Sequence, residues 1–134
     1  MASIYERIGG EGFFVDLVAR FYARIKTDPV LRPMYPEDLE PAEHRLALFL
    51  IQYFGGPTTY DEERGHPQLR LRHMSFVIDQ RARDIWLGHM VAALEEMLLS
   101  DRWKGDAKDD EILREYLVET SQFLINHGGL SILR

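Results

Sequence analysis

The chain has 134 residues, 46% hydrophobic and 28% charged, the balance of one globular domain over 1–134 with a single core. A net charge of -6 argues against general nucleic-acid binding. Without cysteine, disulfides, thiolate zinc sites, iron–sulfur clusters and cysteine nucleophiles are excluded, so any metal must be held by His, Met, Tyr or carboxylate.

In chain order, Ser3-x-x-Glu6 has capping-box spacing and predicts a short helix ending at Gly9-Gly10. The stretch Met1–Arg7 has no basic region leading into an apolar run, and no segment approaches the roughly 18 apolar residues of a membrane span. A cytoplasmic protein without a membrane partner is therefore expected. Phe14, Leu17, Val18, Phe21 and Ile25 share one face of a helix from about Gly12 to Lys26, which Thr27-Asp28-Pro29 ends. Residues 30–39, punctuated by Pro33 and Pro36, read as a helical turn and loop. Pro41 opens a third helix to Phe54, with Ala42, Leu46, Phe49, Leu50 and Tyr53 as its stripe, stopped by Gly55-Gly56-Pro57.

Residues 60–76 read as loop with one short helix near Pro67–His73. A long helix follows over about Asp79–Leu99, with Trp86, Met90, Ala93, Leu94 and Met97 on one face. After the polar connector Ser100–Ala107, a last helix covers about Asp109–Asn126, with Leu113, Tyr116, Leu117 and Leu124 inward, and Gly128-Gly129 closes it. No segment alternates strictly, so the expected fold class is all-α with four main helices.

Helical stripes account for most apolar residues. They do not account for a long histidine-bearing stretch in the middle of so small a domain. His73 follows Leu69-Arg70-Leu71-Arg72, so an imidazole lies beside apolar side chains and fixed cations. That is the set a buried, flat, anionic cofactor needs, and haem is the obvious candidate: iron to ligate, a ring to bury, propionates to pair. Arg72, Arg70 and Arg45 are candidate propionate partners, against the ordinary reading of solvated charges. His66 reads as a loop brace, His44 and His89 as surface or rim residues, and His127 as a cation at a helix C-terminus. No His-x-x-x-His pair supports a zinc hydrolase, and no glycine-rich phosphate loop or Gly-x-Ser-x-Gly is present. Tyr22, Tyr35 and Trp86 pack in a core by default. Their O–H and N–H groups can also donate to a gas ligand that carries partial negative charge in a dry pocket.

At these residues the chain resembles the truncated haemoglobins of group II. The resemblance runs over about residues 4–98 through Gly9-Gly10, Phe21-Tyr22, Leu31, Tyr35-Pro36-Glu37-Asp38, Phe49-Leu50 and Gln52–Pro57. It continues with Tyr60, Arg64-Gly65-His66-Pro67, Leu69-Arg70, Arg72-His73, Arg83-Asp84 and Trp86-Leu87. It implies a shortened globin fold, two helices over two, around haem b. It puts His73 at the proximal iron-ligand position and Tyr22, Tyr35 and Trp86 on the distal side as the reactive donors. Ala42 would stand where longer globins usually carry a distal histidine. Leu46 and Phe49 would line the distal wall. Arg45, Tyr60 and Arg72 look like propionate partners, and Leu69, Phe76, Ile78 and Met90 like haem-packing residues. The chain departs from the pattern at Phe54, where a Trp is usual, at Met74-Ser75 after His73, and in its longer connector with Trp103.

The implied function is tight dioxygen binding with nitric oxide detoxification or peroxidase-type redox chemistry. Simple oxygen binding or storage, a gas-sensing module and a haem-free helical interaction domain are the alternatives. Expected partners are dioxygen, nitric oxide or another small diatomic ligand and, for catalysis, a separate reductase, since no flavin or nicotinamide domain is recognised. A homodimer is left open.

Overall fold

The computed structural model describes residues 2–126, and their regular structure is entirely helical. The elements are α1 (Ile4–Ile8), α2 (Gly10–Ile25), a 3-10 turn (Arg32–Met34), α3 (Glu40–Tyr53), α4 (Thr59–Arg64), α5 (Leu69–His73), α6 (Gln80–Leu98) and α7 (Ala107–Phe123). Helix α2 packs against α3, α6 against α7, and contacts between α2 and α6 join the two pairs. The core lies where they meet. Phe14, Leu17, Val18, Phe21 and Ile25 of α2 are all buried, as are Met90, Ala93, Leu94 and Met97 of α6. Burying a stripe of this kind supplies most of the stability that helical propensity alone does not.

Local chemistry sets the boundaries. The Ser3 hydroxyl accepts from the Glu6 amide at 3.2 Å and starts α1. Gly9 ends it at φ 137°, and a side chain there would run into the Arg102 carbonyl. Gly10 opens α2 rather than closing α1, two residues before the predicted start. Asp79 caps α6 through the Ala82 amide at 2.8 Å. Asp106 and Asp109 form a reciprocal capping box at α7, which begins two residues earlier than expected and ends at Phe123 rather than Asn126.

Two further expectations need correction. The 60–76 stretch holds two helices, because Thr59–Arg64 forms α4 where loop was predicted, and Pro67 lies outside α5. Tyr53 is 56% exposed rather than inward, since its ring lies on Tyr116 near the surface with centroids 4.0 Å apart. His89 takes the rim position of the two expected: its side chain is 23% exposed, and its Nε2 pairs with Asp28 Oδ2 at 2.7 Å.

The 100–107 connector has a structural task. The Lys104 amide donates to the Ile8 carbonyl at 3.0 Å, and the Trp103 ring packs on Phe13 at 5.6 Å. It crosses the α1–α2 junction and delivers Asp109 to Arg7, a 2.7 Å ion pair with the carboxylate buried. The predicted closure at Gly128-Gly129 and the role of His127 lie outside the described residues.

Candidate functional site

The helices enclose a cavity of about 350 Å³. Every residue singled out above as a candidate donor, ligand or packing group lines it. Tyr22 comes from α2, and Tyr35 from the segment after the 3-10 turn. Arg45, Leu46 and Phe49 come from α3, Tyr60 from α4, and Leu69, Arg72 and His73 from α5. Phe76 and Ile78 follow in the next loop, and Trp86 and Met90 lie on α6. Ala42 lines it too, and its small side chain leaves room on the α3 wall. Arg70 is not among the lining residues; its guanidinium sits 5.0 Å over the Phe123 ring.

His73 is the last residue of α5, and its Nδ1 lies 2.6 Å from the Leu69 carbonyl one turn back. A carbonyl oxygen only accepts, so Nδ1 carries a proton, and in the neutral imidazole that leaves the lone pair on Nε2. This is the arrangement that orients a ligating imidazole and raises its basicity. Arg72 braces the same helix: its Nε donates to the Pro67 carbonyl at 2.7 Å and one Nη to the Arg64 carbonyl at 3.0 Å. The guanidinium thus holds the entry to α5 as well as lining the cavity. Arg45 and Arg64 are further lining cations.

Tyr22, Tyr35 and Trp86 form one polar group in an aromatic frame. The rings of Tyr22 and Tyr35 meet edge-on at 5.6 Å, and Trp86 leans on Phe21 at 5.3 Å. Desolvation pushes both phenols up, Tyr22 far above its ordinary value and Tyr35 to about 12. Hydrogen bonds from Trp86 and Tyr22 to the Tyr35 oxygen pull the other way without reversing the shift. Both hydroxyls therefore keep their protons throughout the neutral range and remain donors.

Sequence reasoning placed Tyr116 and Leu117 inward but did not bring them to this cavity, which they line together with Thr120, Leu31, Met34 and Ala82. Burial pushes the Tyr116 phenol up to about 12. The available signal was spacing: Ala82, Trp86 and Met90 recur every four residues along α6. His44 stays outside, exposed and paired with Glu63 at 3.2 Å, and His66 is exposed. No helix of the described residues is long and apolar enough to cross a membrane.

The chemistry of the donor set fits haem. Among the described residues no group of three or more His, Asp or Glu side chains is placed to hold a bare metal ion. A lone imidazole suits a metal that arrives with its own equatorial ligands. The cavity around it is walled by Leu46, Phe49, Leu69, Phe76, Ile78 and Met90, apolar surface for a flat ring, with arginines for anionic groups.

The helix arrangement is shared with known proteins. The model of the bacterial-like globin family matches residues 3–118. The group 2 truncated hemoglobin YjbI of Bacillus subtilis (strain 168) is 43% identical over 122 residues, which cover 91% of this chain and 87% of that protein. The crystal structure of a thermostable hemoglobin from Thermobifida fusca superposes with a TM-score of 0.89 at 47% identity, covering 96% of this chain and all of that one. The truncated oxygen-avid haemoglobin from Bacillus subtilis gives a TM-score of 0.83 at 38% identity, covering 93% of this chain and all of that one. By family match, identity and shared helix arrangement, this chain belongs to the bacterial-like globins as a group II truncated haemoglobin with the two-on-two fold.

Proposed function

We propose that the chain binds dioxygen tightly at a haem held through His73 Nε2 and uses the captured gas to consume nitric oxide, or, with peroxide as oxidant in place of the gas, runs peroxidase-type redox chemistry in the same pocket. The haem supplies the metal and the redox capacity. This chain's residues do the rest. The Leu69 carbonyl keeps His73 in the Nδ1–H tautomer. Arg45, Arg64 and Tyr60 line the cavity and would pair with propionates, with Arg72 holding α5 in place. The apolar wall excludes water, which strengthens each remaining polar contact.

One observation carries the reading: Tyr22, Tyr35 and Trp86 bring protonated donors to the same apolar cavity that His73 lines. Tyr35 accepts from both neighbours, so its own O–H is left for a ligand in the cavity. That donor bond to a partly anionic ligand is worth about 1–3 kcal/mol, and the two bonds that Tyr35 accepts hold its hydroxyl in place, which favours retention over release. The oxygen-avid character of the Bacillus subtilis relative supports this.

Nitric oxide consumption needs an electron per cycle from a separate reductase. The test is to mix the reduced, oxygen-loaded protein with nitric oxide in a stopped-flow instrument and assay nitrate. Fast, stoichiometric nitrate formation with conversion to the ferric protein is expected. Slow conversion, or product other than nitrate, would remove that reaction and leave oxygen binding or peroxide chemistry.

A further inference from the structure

We infer that Asn126 is a positioning residue for His73, holding from the end of α7 the backbone that carries the imidazole. This rests on His73 being the haem ligand. Helix α5 has only five residues, too short to sustain itself, and the carbonyl of His73 at its end accepts locally only from the Phe76 amide, at 3.1 Å. The loop beyond it has little packing: Met74 is 68% and Val77 61% exposed. Its order must come from hydrogen bonds, and one residue 53 positions further along the chain makes most of them. Asn126 Nδ2 donates to the His73 carbonyl at 3.2 Å and to the Phe76 carbonyl at 3.0 Å. Its Oδ1 accepts from the Ile78 amide at 2.9 Å, and its own amide donates to the Ile78 carbonyl at 2.8 Å.

The division of labour is specific. The Leu69 carbonyl sets the rotation of the His73 ring, while Asn126 sets where the ring's backbone sits relative to α7. Phe76 and Ile78, the other two residues it grips, both line the cavity. Helix α7 is anchored in the core through Leu113 and Leu117, so the amide transmits a rigid reference to a weakly held ligand. Arg70 over Phe123 adds a second, looser tie between the same elements.

The test uses the iron–imidazole stretching band in the resonance Raman spectrum of the ferrous, gas-free protein. Asn126→Leu keeps the bulk and loses every side-chain bond. Asn126→Asp keeps the acceptor for the Ile78 amide and loses the donor to His73. Both are expected to shift or broaden the band, and to speed haem transfer to excess apomyoglobin by at least about tenfold, the factor for the single bond to the His73 carbonyl that both lose. Asp106→Ala, which weakens α7 at its far end, should lower Tm and leave the band in place. If Asn126→Leu folds poorly, Asn126→Asp decides. A band present in wild type, absent in His73→Gly and unmoved in both Asn126 variants would overturn the inference alone. A band that survives His73→Gly would overturn the ligand assignment and the inference with it.

Discussion

Replacing Trp86 with Phe isolates the polar part of the cavity wall that Trp86 shares with Tyr22 and Tyr35. Phenylalanine keeps an aromatic ring against Phe21, whose centroid lies 5.3 Å from that of Trp86, and removes the indole N–H. That N–H is one of two donors to the Tyr35 oxygen, in a site where desolvation already dominates the phenol's ionisation. Removing a donor from such a site costs about 1–3 kcal/mol, so oxygen release should accelerate about 5- to 150-fold. Tyr35→Phe should act in the same direction. Because Trp86 and Tyr22 both act on Tyr35, the double variant should fall short of the product of the two single effects by a coupling of at least about 0.5 kcal/mol. The assay is stopped-flow displacement of oxygen by carbon monoxide from the reduced wild type, both single variants and the double variant. An unchanged rate in Trp86→Phe would show that the indole only packs. Fully additive effects would break the argument that the donors form one network.

Further outcomes test the frame that holds the site. Asp106→Ala removes half of a capping box and should cost about 1 kcal/mol, lowering Tm by about 4 °C in thermal unfolding followed by circular dichroism. Asp28, Glu96 and Asp109 are held below their ordinary values of 3.8, 4.5 and 3.8, by His89, by Arg24 with Arg20, and by Arg7 respectively. Depressed carboxylates stabilise the fold above their unfolded values and lose that contribution as pH falls through the folded ones. Denaturant unfolding should therefore give level stability from neutral pH to about 5 and a decline below that; a protein that gained stability on acidification would contradict the assignment.

Periodicity made α2 and α6 legible because a buried stripe repeats every three or four residues whatever lies opposite. Phe14 through Ile25 and Met90 through Met97 are buried as that rule requires. It missed α4, where Thr59–Arg64 is short, acidic and buries only Tyr60. It misjudged Tyr53, which falls on the apolar stripe of α3 yet rests on Tyr116 at the edge of the fold, an arrangement set by α7. The cavity's candidate residues were readable because Tyr22, Tyr35, His73 and Trp86 combine unusual chemistry with a family pattern. What joins them was not. The contact between Gly9 and Arg102 and the grip of Asn126 on His73 each span most of a helix pair, and no local spacing encodes them.

The central claim is that the cavity holds haem through His73. Titration of the haem-free chain with hemin, followed at the Soret band, tests it most directly, in wild type and in His73→Gly with and without added imidazole. The account predicts saturable one-to-one binding by wild type, loss of the native spectrum in His73→Gly, and its return when imidazole fills the vacated space. An unaltered spectrum and affinity in His73→Gly, or no saturable binding by wild type, would contradict it.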